Sequence, residues 1–450
     1  MPFEPLGFSP LVAAVAHAPD VERTLLKVLI QFALILACAR VFAIAFRKLG
    51  QPSVVGETAA GLALGPSLFG HFFPSASTAI FDPSIDQVFK MFSQLGLILL
   101  LFMVGLEFDF SHLKKHGRSS LLISLAGIAL PFGLGWLLAR RLHASLALDV
   151  PLTGFALFMG TAMSITAIPV LARIMMELNI TPTRLGAITI TAAAIDDATG
   201  WIMLASVSAV VNSSFAPMKT ALMALETIAF AAFVIFVLKP PLARLLRRSL
   251  QRNRKLSVNW LAAIFVILFL CAIATNLIGI FAIFGAFLFG AALSTEHDFN
   301  EAIAERIRDL VTALFLPIFF AYTGLRTEIG ALNSSVLWLS AAMISACAIL
   351  GKFGGCTAAA RVSGFNWRES SCIGAMMNTR GLMELIVINA GYELGVIPKN
   401  IFCMLVLMAI VTTVMTVPLL LRIMRGTELE PWISQSSFVA QEAAVVADSE

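Results

Sequence analysis

An all-α polytopic membrane protein is the fold class that this sequence predicts, and three observations predict it. Of 450 residues, 59% are hydrophobic and only 13% are charged, with a mean hydropathy of +0.90. Soluble domains carry about 25% charged residues, so a compact domain of this composition could not cover its surface with polar side chains. The apolar residues also gather into runs long enough for a bilayer core of about 30 Å, which takes about 20 residues per helix. An alternating pattern with a polar lumen face is nowhere visible, which leaves helices rather than a barrel as the spanning structure. The same composition excludes an ordinary soluble enzyme, a disordered chain (35 Phe) and a nucleic-acid binder with a basic face.

Thirteen runs are expected as spans, at roughly 24–46, 52–70, 88–107, 119–139, 152–176, 184–211, 217–239, 258–275, 277–295, 307–323, 334–360, 370–392 and 399–421. The second and ninth are the weakest, interrupted by Gly and, in the second, also by Pro. Lys and Arg set the direction, because cytoplasmic loops carry their excess. The loops on one side hold twenty of them, seven within 239–255 alone, and the loops on the other side hold seven. That places residues 1–23 outside and the acidic tail 426–450 in the cytoplasm, as a short mobile end. The expected setting is a bacterial inner membrane.

Split as six, one and six, thirteen spans put the second half upside down relative to the first. Two inverted six-helix repeats of this kind are a common plan of secondary transporters. The linking helix is 217–239, and the arginine-rich loop 239–255 marks the boundary. The six cysteines lie in apolar runs without metal-site or redox spacing and read as packing residues. The six histidines fall near loops or termini, so no metal or haem site in the membrane can be built from them, and no cofactor is expected. Residues 1–22 carry no basic residue and four prolines, unlike a cleaved signal peptide.

Charges at membrane depth are costly and therefore mark function. Asp196 and Asp197 stand near the middle of the sixth run. Consecutive residues project about 100° apart on a helix, so the two acids face different partners. In a low dielectric they also resist simultaneous ionisation, which suits exchange of a proton for a monovalent cation. A structural pair bonded to Thr191 or Thr199 is the alternative. Lys352 lies well inside the eleventh run, and a counter-carboxylate from Asp196 or Asp197 is a cheaper solution than snorkelling to the interface.

Two runs also look broken. In the fifth, Thr161, Ser164 and Thr166 precede Pro169; in the twelfth, Asn378, Thr379, Arg380 and Gly381 interrupt the apolar pattern. These are the fifth helices of the two halves, and interruptions at matching positions point to a transporter's ion site. Half-helices expose carbonyls and amides whose partial charges call for counter-charges, and Arg380 is suited to the carbonyl ends. Glu384 lies four residues on, so an i,i+4 pair with Arg380 is expected beside that role. Glu57, Glu226, Arg40 and Lys90 read as structural or interfacial.

With these residues in view, the chain resembles the monovalent cation/proton antiporters, in the second of their two large families. The resemblance rests on Gln51-Pro52-Ser53-Val54-Val55-Gly56-Glu57, Gly65-Pro66-Ser67-Leu68, Leu101 to Glu107, Gly285-Ala286-Phe287-Leu288, Leu316 to Phe320 and Gly324-Leu325-Arg326-Thr327. It runs from about residue 24 to 425 in order. Asn378 to Leu385 resembles the plant cation/proton exchanger subgroup in particular. The resemblance implies that Asp197 matches the ion- and proton-binding aspartate, and that Asp196 matches the preceding position, which is Asp in electrogenic members. It implies that Lys352 pairs with Asp196, as salt-bridge partner or proton carrier, and that the breaks at 161–169 and 378–381 are crossed, unwound helices. It further implies a homodimer. The dimerisation part would be about 24–110 and 258–325, moving against a core part of about 119–211 and 334–421 within the transmembrane domain 24–425. One departure is plain: many bacterial members read Arg-Gly-Glu where this chain has Arg380-Gly381-Leu382, with its acid delayed to Glu384. A nucleotide-binding tail like that of the glutathione-gated potassium efflux members, and the gating that goes with it, is not expected.

The reading is therefore a secondary antiporter, not an enzyme, that exchanges Na⁺ or K⁺ for protons in cation and pH homeostasis, with lipid as its surroundings and no nucleic-acid partner. A cation channel or uniporter and an organic-anion symporter on the same fold are the alternatives. An intramembrane aspartyl protease needs two aspartates converging from different helices, which consecutive residues cannot supply.

Overall fold

The computed structural model describes residues 20–49, 51, 53–81, 85–106, 117–146, 148–212, 217–253, 257–294 and 297–433. Most of the N-terminal segment 1–23 and of the acidic tail lies outside these residues, as do Pro52, Glu107, Arg254 and Lys255. Regular structure among the described residues is helical.

The first half runs α1 (Asp20–Lys48), α2 (Ser53–Leu64), the short α3 (Phe69–Phe72) and α4 (Pro74–Ile80), then α5 (Asp86–Leu106) and α6 (Gly117–Ser145). It ends with α7 (Leu152–Ser164), α8 (Ile168–Glu177) and α9 (Arg184–Asn212). After α10 (Pro217–Ala232) and α11 (Lys239–Asn253), the second half has α12 (Val258–Ile278), α13 (Ala282–Leu293), α14 (His297–Leu310), α15 (Leu316–Leu325) and α16 (Ser335–Ile349). It closes with α17 (Gly355–Val362), α18 (Trp367–Met377), α19 (Leu382–Glu393), α20 (Lys399–Ile423) and α21 (Glu430–Ile433).

Nine helices among the described residues are long and apolar enough to cross a membrane. The expected runs at 52–70 and 277–295 hold only the 12-residue helices α2 and α13. The runs at 152–176 and 370–392 are each split into two helices. Local chemistry accounts for many of the ends. The Ser257 hydroxyl accepts the Trp260 amide at the start of α12, and Gly279, at φ +100°, stops it. Asn366 and Glu369 form a reciprocal capping box on α18.

Two expectations are corrected. Over Lys239–Asn253 the arginine-rich stretch 239–255 is not a loop: α10 continues through a π-helical segment, Phe233–Leu238, into α11. Pro240 and Pro241, which cannot donate to the helical ladder, closely follow that π-helical segment, where the regular bonding is already interrupted. Leu242 and Leu246 are buried four residues apart, while Arg244 and Arg247 stay exposed. The tail, in turn, begins as packed structure. Leu429 and Ile433 are fully buried, and the Glu428 carboxylate takes the Leu185 amide at the start of α9.

The helices pack in two groups. In one, α2 lies on α1 and α15, while α13 lies on α5 and α12. In the other, α6 packs on α7, α9 and α17, and α20 on α16, α18 and α19. The crossings in the first group depend on glycine. A Cβ at Gly290 would stand 2.2 Å from the Phe102 carbonyl oxygen, and one at Gly105 would stand 2.3 Å from that of Phe287. Gly61 and Gly324 make the matching approach between α2 and α15, at 2.0 Å from the Ala321 and 2.3 Å from the Thr58 oxygen. Small residues let backbones meet this closely where lipid supplies no hydrophobic drive between helices.

Candidate functional site

The second group closes around the two aspartates of α9. Thr183 and Glu428 cap the first turn of this helix, through the amides of Gly186 and Leu185. Further along, the hydroxyls of Thr189, Thr191 and Thr199 bond carbonyls of their own helix at 2.7–2.8 Å. They are therefore not partners of the acids. Asp196 and Asp197 are 0% and 1% exposed.

Asp196 is fully engaged. Its Oδ1 accepts the Ser124 hydroxyl from α6, and its Oδ2 accepts both Lys352 Nζ and, at 2.9 Å, the Thr166 hydroxyl. Lys352 sits in a π-helical segment, Leu350–Gly354, that joins α16 to α17 and presents the ammonium to the site. The same ammonium donates to the carbonyl of Ser164, the last residue of α7. On α6, a Cβ at Gly127 would stand only 2.5 Å from Cys356 Sγ, so this glycine lets α17, the helix that follows Lys352, pack closely. Asp197 is different. Neither of its oxygens has a partner at normal hydrogen-bond geometry among the described residues. The backbone amide of Ile168, at the start of α8, is a polar group that faces it.

The broken helices meet beside these acids. The chain is extended at Ile165 and Ala167 between α7 and α8, and leaves the helix again at 378–381 between α18 and α19. The breaks are hydrogen-bonded to each other: the Ala167 amide donates to the Thr379 carbonyl at 3.2 Å, and the Thr166 hydroxyl to that of Met377 at 3.1 Å. Arg380, fully buried, spreads its guanidinium over the end of α7. Nη1 donates to the carbonyls of Ala162 and Ile165 at 2.8 and 3.1 Å, and Nη2 to that of Met163. A guanidinium fork matches several carbonyls at once, and its charge opposes the negative end of the helix dipole. Glu384 lies in the first turn of α19, at the positive end of that half-helix, 3.3 Å from Arg380. From α20, the Thr413 hydroxyl accepts the Arg380 amide at 3.2 Å and donates to the Arg380 carbonyl at 2.7 Å.

Residues 33–423 match the family of sodium/hydrogen exchanger transmembrane domains. The chain belongs to that family. The Na⁺/H⁺ antiporter NhaS4 of Synechocystis sp. is 38% identical over 404 residues, covering 89% of this chain and 98% of that protein. The cation/H⁺ antiporter 18 of Arabidopsis thaliana is 35% identical over 395 residues, 88% of this chain and 48% of its own length. The K⁺/H⁺ antiporter 1 of Saccharomyces cerevisiae is 34% identical over 398 residues, 87% of this chain and 47% of its own. The exchanger thus spans about half of the latter two. The sodium proton antiporter MjNhaP1 of Methanocaldococcus jannaschii superposes with a TM-score of 0.62 over 91% of this chain and 99% of its own, at 16% identity, a likeness of fold.

Most of the exchanger's predicted site residues come together. Asp196, Asp197, Lys352, Ser164, Thr166, Thr379, Arg380 and Glu384 all belong to one buried cluster. Asn378 stands at its edge, its side-chain nitrogen 3.8 Å from Met415 Sδ. Thr161 does not join the crossing: its hydroxyl turns back to the Leu157 carbonyl, because the break is 165–167 rather than the broader 161–169. Of the two candidate partners for Lys352, the structure pairs it with Asp196. Sequence reasoning missed Ser124 and Thr413. The signals were present, as Ser120 and Ser124 recur four apart in an apolar helix, and Thr412, Thr413 and Thr416 cluster in the last run.

Proposed function

We propose that this exchanger moves Na⁺ or K⁺ in one direction and protons in the other by alternating access, with Asp197 as the shared binding group. One observation carries the reading. The buried cluster holds three carboxylates and two cationic side chains, and Asp197 is the carboxylate left without a countercharge. An uncompensated charge is expensive at membrane depth, so either a proton or a monovalent cation is favoured there, and each excludes the other. That is the physical basis of exchange. The printed names of the relatives, antiporters of Na⁺, K⁺ or other cations against H⁺, support the same reading.

Further parts of the proposal concern architecture. Thirteen spans form two inverted repeats joined by α10, with the N-terminus outside and the C-terminus in the cytoplasm of a bacterial inner membrane. The repeats are supported by the way contacts come in exchanged couples. The third span (α5) lies on the ninth (α13) as the tenth (α15) lies on the second (α2), and the fourth (α6) lies on the sixth (α9) as the eleventh (α16) lies on the thirteenth (α20). The first packing group serves as a dimerisation domain and the second as the moving core. Transport is electrogenic, two protons for one cation, with Lys352 releasing the second proton when the cation breaks its pair with Asp196.

Purified protein in vesicles tests the function. At a fixed proton gradient, added Na⁺, K⁺ or Li⁺ should each be compared for cation-driven proton movement. Exchange with at least one of these ions is expected; cation flux that moves no protons would identify a channel instead.

A further inference from the structure

Away from the aspartates, the two packing groups touch through a second polar cluster. It lies at the end where the loop after α2 meets the loop after α15, since the Ser67 hydroxyl donates to the Thr327 carbonyl and accepts the Ile329 amide. In the proposed orientation this is the outer face. Glu393, the last residue of α19 in the core group, reaches across to the other group. Lys90 Nζ of α5 stands 3.4 Å from its Oε1, Gln94 Nε2 donates to its Oε2 at 3.2 Å, and Arg326 Nη1 lies 3.7 Å away. The Arg326 guanidinium also lies over one tyrosine from each group, 5.3 Å from the Tyr322 ring centre and 4.8 Å from that of Tyr392. Lys399, the first residue of α20, pairs with Glu328 beside them.

Below this cluster the seam stays polar for one more turn. Asn389, one turn before Glu393 on α19, donates to the Thr323 hydroxyl of α15 at 3.1 Å, with Ser93 of α5 lining the same cleft. Farther in, the contact becomes apolar: Trp201, one turn along α9 from Asp197, stacks on Phe287 of α13 with ring centres 5.2 Å apart.

Such a seam is unlike either packing group's interior. Within the groups, glycine crossings and apolar side chains hold helices in one arrangement. At the outer end of the seam, the contacts are partly exposed ion pairs and hydrogen bonds, and Lys90, Arg326 and Glu393 all retain contact with solvent. Ion pairs in that setting are individually weak and exchange readily for water. They also hold one register closely, since three donors from the other group converge on a single carboxylate.

We propose that Glu393 is the positioning residue of an outer latch. Its carboxylate, gripped by Lys90, Gln94 and Arg326, holds the outer end of the seam shut and must leave them for the outer path to Asp197 to open. The inference rests on the alternating-access reading above. Release of the latch would expose Asn389, Thr323 and Ser93 as a polar route towards Trp201.

A reversible cross-link tests it. In a Gln94→Cys, Glu393→Cys double variant in vesicles, a short bis-methanethiosulfonate reagent, which spans the gap that the two longer side chains fill, should bridge the cysteines, confirmed by peptide mass spectrometry. Exchange should then fall to the level of protein-free vesicles and return on reduction. Each single-cysteine variant, given the same reagent, controls for the six native cysteines, and its own exchange should not change on treatment. Full exchange in cross-linked protein would overturn the proposal, and so would failure of the bridge to form. In cells, Glu393→Ala should raise the rate at which a membrane-impermeant maleimide modifies an added Asn389→Cys several-fold; an unchanged rate also overturns it. A wild type that exchanges no cation for protons would fell the functional reading, whereas a wild type and a cross-linked variant that both exchange fell only the latch.

Discussion

At the scale of single residues, the account turns on the difference between two adjacent carboxylates. Asp196 has three donors from three elements, and Asp197 has none at normal geometry among the described residues. Asp197→Asn is nearly the same shape but cannot hold a proton and a cation in turn, so exchange should vanish while thermal unfolding of the purified protein stays close to wild type. Lys352→Gln should act differently. It leaves the buried Asp196 unpaired, which typically costs about 3–5 kcal/mol, and melting temperature should fall accordingly. Adding Asp196→Asn should recover most of that loss, because both members are then neutral. If the single Lys352→Gln variant keeps wild-type stability and voltage-dependent exchange, the pair has neither role. The two aspartates and the lysine were legible in the sequence because a charge at membrane depth has few structural excuses. Which aspartate the lysine takes was not, since spacing along the chain leaves the azimuth of α9 against α16 undetermined. Ser124 is harder to read for a related reason: a hydroxyl can satisfy itself on its own helix, as Thr191 and Thr199 do, so its spacing with Ser120 does not by itself mark it as a partner of the acids.

At the scale of elements, the crossing of two broken helices depends on Arg380 as much as on the breaks. One guanidinium holds three carbonyls at the end of α7. Lysine keeps the charge but not the planar fork, so Arg380→Lys should strand part of that set. Losing one or two charge-assisted hydrogen bonds costs about 1.5–3 kcal/mol each, measurable as lower thermal stability; an unchanged melting curve would show that the carbonyls find other partners. The glycine crossings make a second test. Gly290→Ala would drive a Cβ to 2.2 Å from the Phe102 carbonyl oxygen, and overpacking of this kind costs about 1–3 kcal/mol. Stability should fall, and wild-type stability would mean that α5 and α13 separate easily. Pro169 and the run from Asn378 to Gly381 announced both breaks, but not their extent, because backbone pairing between the breaks sets where each helix resumes. The π-helical segment that carries Lys352 was unreadable beforehand, as its Gly351-Lys352-Phe353-Gly354-Gly355 sequence suits an ordinary helix packed closely on a neighbour. At α11 the sequence points to a loop because charge and paired prolines dominate its composition, while its buried leucines are few.

At the scale of the whole molecule, hydrophobic length makes the all-helical membrane class legible in the sequence. Two spans were hard to delimit from sequence because α2 and α13 are short, closely crossed and rich in glycine rather than continuously apolar. The charge ledger of the buried cluster leads to a prediction about voltage. If Lys352 gives up a proton while Asp197 takes the cation, each cycle moves net charge, and exchange in vesicles should accelerate or slow with an imposed potassium-valinomycin potential. Flux indifferent to that potential would indicate one-for-one exchange. The central claim is narrower still: a proton and a cation compete for one carboxylate. It is tested most directly by adding Na⁺ or K⁺ to purified protein in weakly buffered detergent solution and following pH. The account predicts that cation binding releases protons from the wild type and not from Asp197→Asn; saturable cation binding by the wild type with no proton release would contradict it.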